Sequence, residues 1–168
     1  MLSGHSRPVT GVTFLSGKTP LLLSCSDDQT IRVWEAASAT VVRALTNHTQ
    51  PVTCLAVRPA DGDALPIVAS GSEDRTVRFW QPGTGRLVRF QRLNSPVTAI
   101  AWTTDGSAVL AGGRDGAVRR VNAETLKTDE FQMTANAWIN ASAVHPTEPV
   151  ALIAISTGQL AKLHLDGL

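Results

Sequence analysis

Charge of one sign is what this 168-residue chain most clearly lacks. Lys+Arg is 15 against 14 Asp+Glu, a net charge of +1. That excludes bulk electrostatic capture of DNA or of an anionic membrane. Long apolar runs are also missing: none approaches the roughly 20 residues of a membrane-spanning helix. No charged segment followed by an apolar one opens the chain at Met1-Leu2-Ser3-Gly4-His5, so no signal peptide is visible and the cytoplasm is the default compartment. Cysteine is scarce. Cys25 and Cys54 lie in apolar, strand-like runs, which reads as buried free thiols rather than a disulfide framework. Helical periodicity is absent throughout.

What is present is a repeat. Ser70-Gly71-Ser72-Glu73-Asp74-Arg75-Thr76-Val77-Arg78-Phe79-Trp80 is closely copied upstream by Ser24 to Trp34 and more weakly downstream by Ala111 to Val121. Asp28, Asp74 and Asp115 recur at steps of 46 and 41 residues. Val9, Val52, Val97 and Ile139, each opening an alternating segment, are separated by 43, 45 and 42. Each of the first three periods predicts four short strands. The first has Val9 to Leu15, Leu21 to Cys25, Ile31 to Trp34 and Val41 to Leu45. The second has Val52 to Val57, Ile67 to Ser70, Val77 to Trp80 and Leu87 to Gln91. The third has Val97 to Trp102, Ala108 to Ala111, Val118 to Val121 and Lys127 to Phe131. The fourth has only Ile139 to Val144, Val150 to Ile155 and Leu160 to Leu165. Asp-rich turns join the second and third strand of a unit. Loops are expected at Ser16 to Pro20 and at Pro59 to Pro66.

Gly4-His5, Ser24, Asp28 and Trp34, with His48, Ser70, Asp74 and Trp80 in the next unit, resemble the WD40 repeat family. The resemblance implies an all-β fold: a β-propeller segment of about four blades, each of four antiparallel strands, the last lacking its outer strand. It divides residues 1–168 into repeats at about 5–45, 48–91, 94–131 and an incomplete 136–168. Trp34 is followed by Glu35 and Trp80 by Gln81, not by Asp. Unit three keeps Asp115 but has Leu93, Ala111 and Val121 at the other slots, and unit four has Ala135, Ile153, Thr157 and Leu163.

In the family, His, Ser, Asp and Trp of one unit form a hydrogen-bonded chain beneath the top of the blade. The donor and acceptor inventory suits that role. The same His, Ser and Asp would suit a hydrolase, but the set occurs twice, each time with Trp, and no Gly-x-Ser-x-Gly elbow is present. No catalytic residue is expected. Gly112-Gly113-Arg114-Asp115-Gly116 leads into a strand, so it reads as a hairpin and not a phosphate cradle. Asp61-Gly62-Asp63 lacks the further acidic ligands of a calcium loop. His145 and His164 belong to no metal-ligand spacing, so neither metal nor cofactor is expected. Arg75, Arg78, Arg86, Arg89 and Arg92 read as a solvated face, and Arg32 and Arg78 share a slot where their stems would pack.

The resemblance also implies partner binding through the top rim, by other proteins or peptides. Mapped by motif, the rim is Ser6, Pro8 and Asp27; Thr49, Pro51 and Glu73; Asn94, Pro96 and Arg114; Asn136, Trp138 and Ser156. Trp138 stands out as a large aromatic, either a contact hot spot or packing against the neighbouring blade. The expected function is a non-enzymatic scaffold, with a propeller domain of a larger enzyme or regulator as the alternative. An open arc of blades exposes two apolar faces. Either further blades of a longer chain cover them, or a second copy does so by closing an eight-blade, two-fold symmetric ring.

Overall fold

Period-two alternation makes each segment a strand with two faces, and turn residues between the segments fold successive strands back on one another. The computed structural model describes residues 2–15, 21–59 and 67–165. The loops expected at Ser16 to Pro20 and around Asp61-Gly62-Asp63 lie outside the described residues, apart from Pro59. Among the described residues, fifteen strands form four antiparallel sheets, each in simple up-and-down order. The first blade is β1 (Val9–Leu15), β2 (Leu21–Ser26), β3 (Ile31–Glu35) and β4 (Thr40–Leu45). The second is β5 (Val52–Val57), β6 (Val68–Ser72), β7 (Thr76–Gln81) and β8 (Arg86–Arg92). The third is β9 (Val97–Trp102), β10 (Ala108–Gly113), β11 (Ala117–Asn122) and β12 (Thr128–Gln132). The fourth is β13 (Ile139–Val144), β14 (Val150–Ile155) and β15 (Leu160–His164), with β15 as its outer edge among the described residues. No described helix is long and apolar enough to cross a membrane.

The turn between the second and third strand of each blade has one geometry. Gln29 N–H donates to Ser26 O at 3.2 Å, Arg75 to Ser72 at 3.1 Å, Gly116 to Gly113 at 3.3 Å and Gly158 to Ile155 at 3.0 Å. All four donors have left-handed backbone, with φ of 72°, 65°, 77° and 88°. This is the three-residue hairpin that ends in a left-handed residue. At Gly116 a side chain would also run into the carbonyl oxygens of Thr134 and Ala137.

The inner strands β1, β5, β9 and β13 lie side by side in succession, and the core sits between blades rather than within one. Leu23, Ile31 and Val33 of the first blade pack on Val52, Val68 and Trp80 of the second. Val77 and Phe79 pack on Val97, Trp102 and Val109, and Leu110 and Val118 on Ile139, Ala151 and Ile153. Burial of each large side chain stabilises by about 1.5–3 kcal/mol.

Every inner strand also carries a bulge, one residue after its first: the register shifts fall between Val9 and Gly11, Val52 and Cys54, Val97 and Ala99, and Ile139 and Ala141. A bulge re-aims a side chain. Here it turns Thr10, Thr53 and Thr98 across the joint, where their hydroxyls donate to the carbonyls of Val52, Val97 (2.7 Å) and Ile139. Those acceptors are the first inner-strand residues of the next blade.

Two substitutions probe the joint. Gly112 faces Ile139 across it so closely that a Cβ would collide with that side chain. Gly112→Ala is expected to lower unfolding free energy by about 1–3 kcal/mol, as overpacking does. Thr53→Val keeps the shape and removes the hydroxyl rung, at an expected cost of about 1 kcal/mol. Urea unfolding at pH 7.5 measures both, and a wild-type midpoint in either would refute this account of the joint.

Candidate functional site

Two blades build the same polar bracket under their upper loops. In the first, Trp34 Nε1–H donates to Ser24 Oγ at 2.8 Å, Ser24 Oγ lies 2.7 Å from His5 Nε2, and His5 Nδ1 lies 2.8 Å from Asp28 Oδ2. The second repeats it: Trp80 Nε1–H to Ser70 Oγ at 2.8 Å, Ser70 to His48 Nε2 at 2.8 Å, and His48 Nδ1 to Asp74 Oδ2 at 2.8 Å. Donors and acceptors fix the protons. Trp can only donate and Asp only accept, so Ser passes its O–H to Nε2 and the neutral imidazole donates from Nδ1. The chain has one consistent direction and leaves no member half-bonded.

Each aspartate does more. Asp28 also accepts the Ser6 amide, the Thr30 amide and the Thr30 hydroxyl, the last at 2.7 Å. Asp74 accepts the Thr49 and Thr76 amides and the Thr76 hydroxyl, the last at 2.6 Å. Burial raises the pKa of both carboxyls, but these donors outweigh it and hold them well below the usual carboxylate range. Burial pushes His48 down, outweighing the pull of Asp74. The Ser–His–Asp connectivity is that of a hydrolase triad, but Ser24 and Ser70 are buried and each hydroxyl oxygen also accepts a Trp N–H, so neither oxygen is open to solvent.

The third blade solves the problem differently. Asp115 is held by Arg119, whose guanidinium bonds both carboxylate oxygens and, through Nε, reaches Glu130 Oε2 at 2.8 Å. Arg119 is only 3% exposed. Burial raises the pKa of Asp115, and Arg119 overrides it and draws it down. Arg32, Arg78 and Arg119 occupy one register, opposite Ser24, Ser70 and Ala111. Arg32 packs against Gly4 beside Trp34, while Arg78 caps Thr76 at 3.1 Å and lies 5.2 Å over the Phe90 ring. The shared slot was legible in sequence for Arg32 and Arg78. The role of Arg119 was not, although its alignment with them was available. Thr30 and Thr76, two residues after their aspartates, were likewise missed.

The rim residues come together in pairs. Asp27 N–H donates to Pro8 O at 3.0 Å, Glu73 to Pro51 at 3.0 Å, Arg114 to Pro96 at 3.2 Å and Ser156 to Trp138 at 2.9 Å. Ser6 and Thr49 are tied to the bracket aspartates by their amides. Asn94 and Asn136 are exposed, and Asn136 has left-handed backbone with φ 62°. Three blades are joined across this surface: Arg114 bonds Glu73 and places its guanidinium 5.0 Å over the Trp138 ring. Trp138 is 50% exposed, so one end of that stack faces solvent. Arg86, Arg89 and Arg92 lie exposed on the outer strand β8, whereas Arg78 is turned inward. The Gly112 to Gly116 segment is the hairpin described above. His145 Nδ1 accepts the Thr147 and Glu148 amides in its own turn, and His164 is exposed on β15. Among the described residues, no group of three or more His, Cys, Asp or Glu could hold a metal.

The model of the family "WD domain, G-beta repeat" matches residues 1–35, 39–81 and 86–120. The chain therefore belongs to the WD40 repeat family. It is 33% identical to mouse WD repeat-containing protein 90 over 121 residues, 70% of this chain and 6% of that protein. It is 26% identical to the human protein of the same name over 170 residues, 99% of this chain and 9% of that protein. The chain thus spans less than a tenth of the length of these relatives. The crystal structure of the WD40 β-propeller domain of Doa1 superposes with a TM-score of 0.83 at 20% identity, covering 99% of this chain and 54% of that one. WD40 propellers generally serve as non-catalytic scaffolds for protein interaction.

The brackets make stability depend on acid. The unfolded chain takes up protons that the fold excludes, at His48 from about pH 6.5 downward and at Asp28 and Asp74 below about pH 4. Stability is therefore fully present near pH 7.5 and declines as pH falls. Urea midpoints are expected to drop between pH 7.5 and pH 5, and less so in His48→Gln. An equal drop in the variant would show that His48 is not the group responsible.

Proposed function

We propose that this chain is a non-enzymatic WD40 scaffold that binds proteins or peptides through its upper rim, in a cytoplasmic setting. The observation that carries the reading is the Glu73–Arg114–Trp138 array, which spans three blades and leaves a large aromatic half-exposed. Aromatic and Arg side chains are the usual anchors of protein interfaces. The Arg114 guanidinium is already ordered by Glu73 and the Trp138 ring, so a partner meets a prearranged surface and less side-chain entropy is lost on binding. The remaining proposed contacts are Ser6, Pro8, Asp27, Thr49, Pro51, Asn94, Pro96, Asn136 and Ser156. Their paired upper loops are held by main-chain bonds and by the brackets beneath.

A second reading rests on the small share of the curated relatives that this chain spans. In it, the propeller is one domain of a larger protein whose chemistry resides elsewhere. The rim can serve as the docking surface in either case.

The test compares proximity-labelling profiles in cells for wild type, a rim variant (Arg114→Glu with Trp138→Ala) and an outer-strand control (Arg89→Glu). The rim variant is expected to lose its enriched partners at least tenfold, with an unchanged circular-dichroism spectrum. Loss in the outer-strand control with an unchanged rim-variant profile would sink the proposal.

A further inference from the structure

The upper surface of the second and third blades carries arginine side chains that neither turn nor strand requires. Arg75 sits at the left-handed position of the β6–β7 turn, with φ 65°, where the third and fourth blades have Gly116 and Gly158. Glycine takes that conformation without strain and an L side chain does not, so arginine is an unfavourable choice for the turn itself. Its carbonyl accepts the Leu93 amide at 2.7 Å, which sets Arg92 beside it at the end of β8. Arg92 pairs with Thr76 in register, a slot that Gln132 fills in the third blade. Arg114 follows on the next blade. It bonds Glu73, two residues before Arg75, and its guanidinium lies 5.0 Å over the Trp138 ring. Arg92, Arg75, Arg114 and Trp138 thus form one track across three blades, and all four are exposed.

The acids along this track are already engaged. Glu73 bonds Arg114, Asp74 is held by His48, Thr49 and Thr76, and both Asp115 and Glu130 bond Arg119. Arg75 and Arg92 make no ion pair among the described residues. A chain with a net charge of only +1 therefore displays a local cationic strip, because the carboxylates beside it are satisfied from within.

We propose that the Arg92–Arg75–Arg114 strip, with the Trp138 ring at its end, receives an extended acidic segment of a partner protein. The partner's carboxylates lie on the guanidiniums, and an apolar residue lies against the exposed part of the indole. This rests on the rim reading above, adds Arg75 and Arg92 to that surface, and gives its partner a charge. The guanidinium fork matches a carboxylate with two parallel bonds. A polynucleotide is the poorer fit. Three guanidiniums hold a phosphate backbone weakly at physiological salt, and Glu73 and Asp115 line the same strip.

Fluorescence anisotropy tests this with the longest polypeptide whose reading frame contains the segment. The probes are fluorescein-labelled Glu-Asp-Glu-Asp-Glu-Leu, its Gln/Asn isostere, its all-Lys counterpart and an oligothymidylate of equal length. The acidic peptide is expected to bind at least tenfold more tightly than the other three. Its affinity is expected to fall severalfold between about 50 and about 200 mM salt. Arg75→Glu with Arg92→Glu is expected to remove the preference, with an unchanged circular-dichroism spectrum, while Arg89→Glu on the outer strand keeps it. An acidic peptide bound no better than its isostere, or bound equally by the double variant, overturns the inference. Tighter binding of the oligothymidylate overturns it in favour of a single-stranded nucleic acid. The rim reading is judged separately, by proximity labelling. If Arg114→Glu with Trp138→Ala loses its partners and Arg75→Glu with Arg92→Glu keeps them all, the rim reading stands and the acidic partner is ruled out.

Discussion

A single four-stranded blade cannot bury itself. It has two faces and no helix to lay across either, so each face is covered only by the blade beside it. Everything else in this structure is arranged around that joint. The apolar clusters lie between blades, a glycine appears where one sheet presses on the next, and β1, β5 and β9 are each bulged so that a threonine hydroxyl crosses the gap. The apolar contacts supply most of the stabilisation and are indifferent to small slides. The hydroxyl-to-carbonyl rung is directional, and it fixes how far along its neighbour a blade may sit.

The brackets serve a different need. The upper loops carry main-chain amides that must find partners, and an aspartate in the hairpin collects several of them. Holding that anion in a half-buried place needs a donor behind it. Blades one and two use the His–Ser–Trp chain, which reaches down between the sheets. Blade three uses a single guanidinium. Its Ser and Trp slots are Ala111 and Val121, both part of the apolar joint with the second blade. Replacing the whole polar chain together avoids the worst outcome, a buried hydroxyl or indole N–H with nothing to bond. Blade four has Ile153 and Leu163 in those slots and Thr157 in the slot of the aspartate, while its turn keeps the geometry of the others through Gly158.

Much of this could be read from the chain because repetition multiplies weak signals. One Val-Thr-x-Val segment says little, whereas Val9-Thr10, Val52-Thr53, Val97-Thr98 and Ile139-Asn140 at nearly equal steps place the inner strand of each described blade, and each described strand overlaps a segment expected from the sequence. The two complete His, Ser, Asp and Trp sets were visible because each residue type is uncommon in its setting. Arg119 was not, since an arginine on a strand is ordinarily solvent-facing and only the three-dimensional register shows it buried over Asp115. The threonine rungs were hidden for a related reason. Thr10, Thr53 and Thr98 look like the polar phase of an alternating strand, and only the bulge turns them toward a neighbour. The stacking of Arg114 on Trp138 joins residues from different repeats, which no comparison between repeats can reveal.

The tryptophans fall one to a blade: Trp34, Trp80, Trp102 and Trp138, with no tyrosine anywhere in the chain. Their surroundings differ in optically useful ways. Trp34 and Trp80 bond to serine with a histidine ring near 6 Å (6.2 and 6.1 Å), Trp102 lies against Phe79 at 5.6 Å, and Trp138 is half-exposed beneath the Arg114 guanidinium. The molecule therefore carries its own set of spectroscopic reporters. Emission at the red edge, and quenching by a soluble halide, follow the rim of the last blade alone. The blue, shielded emission reports on the three blades behind it, so partner binding at the rim and loosening of the stacked sheets can be told apart in one unlabelled sample.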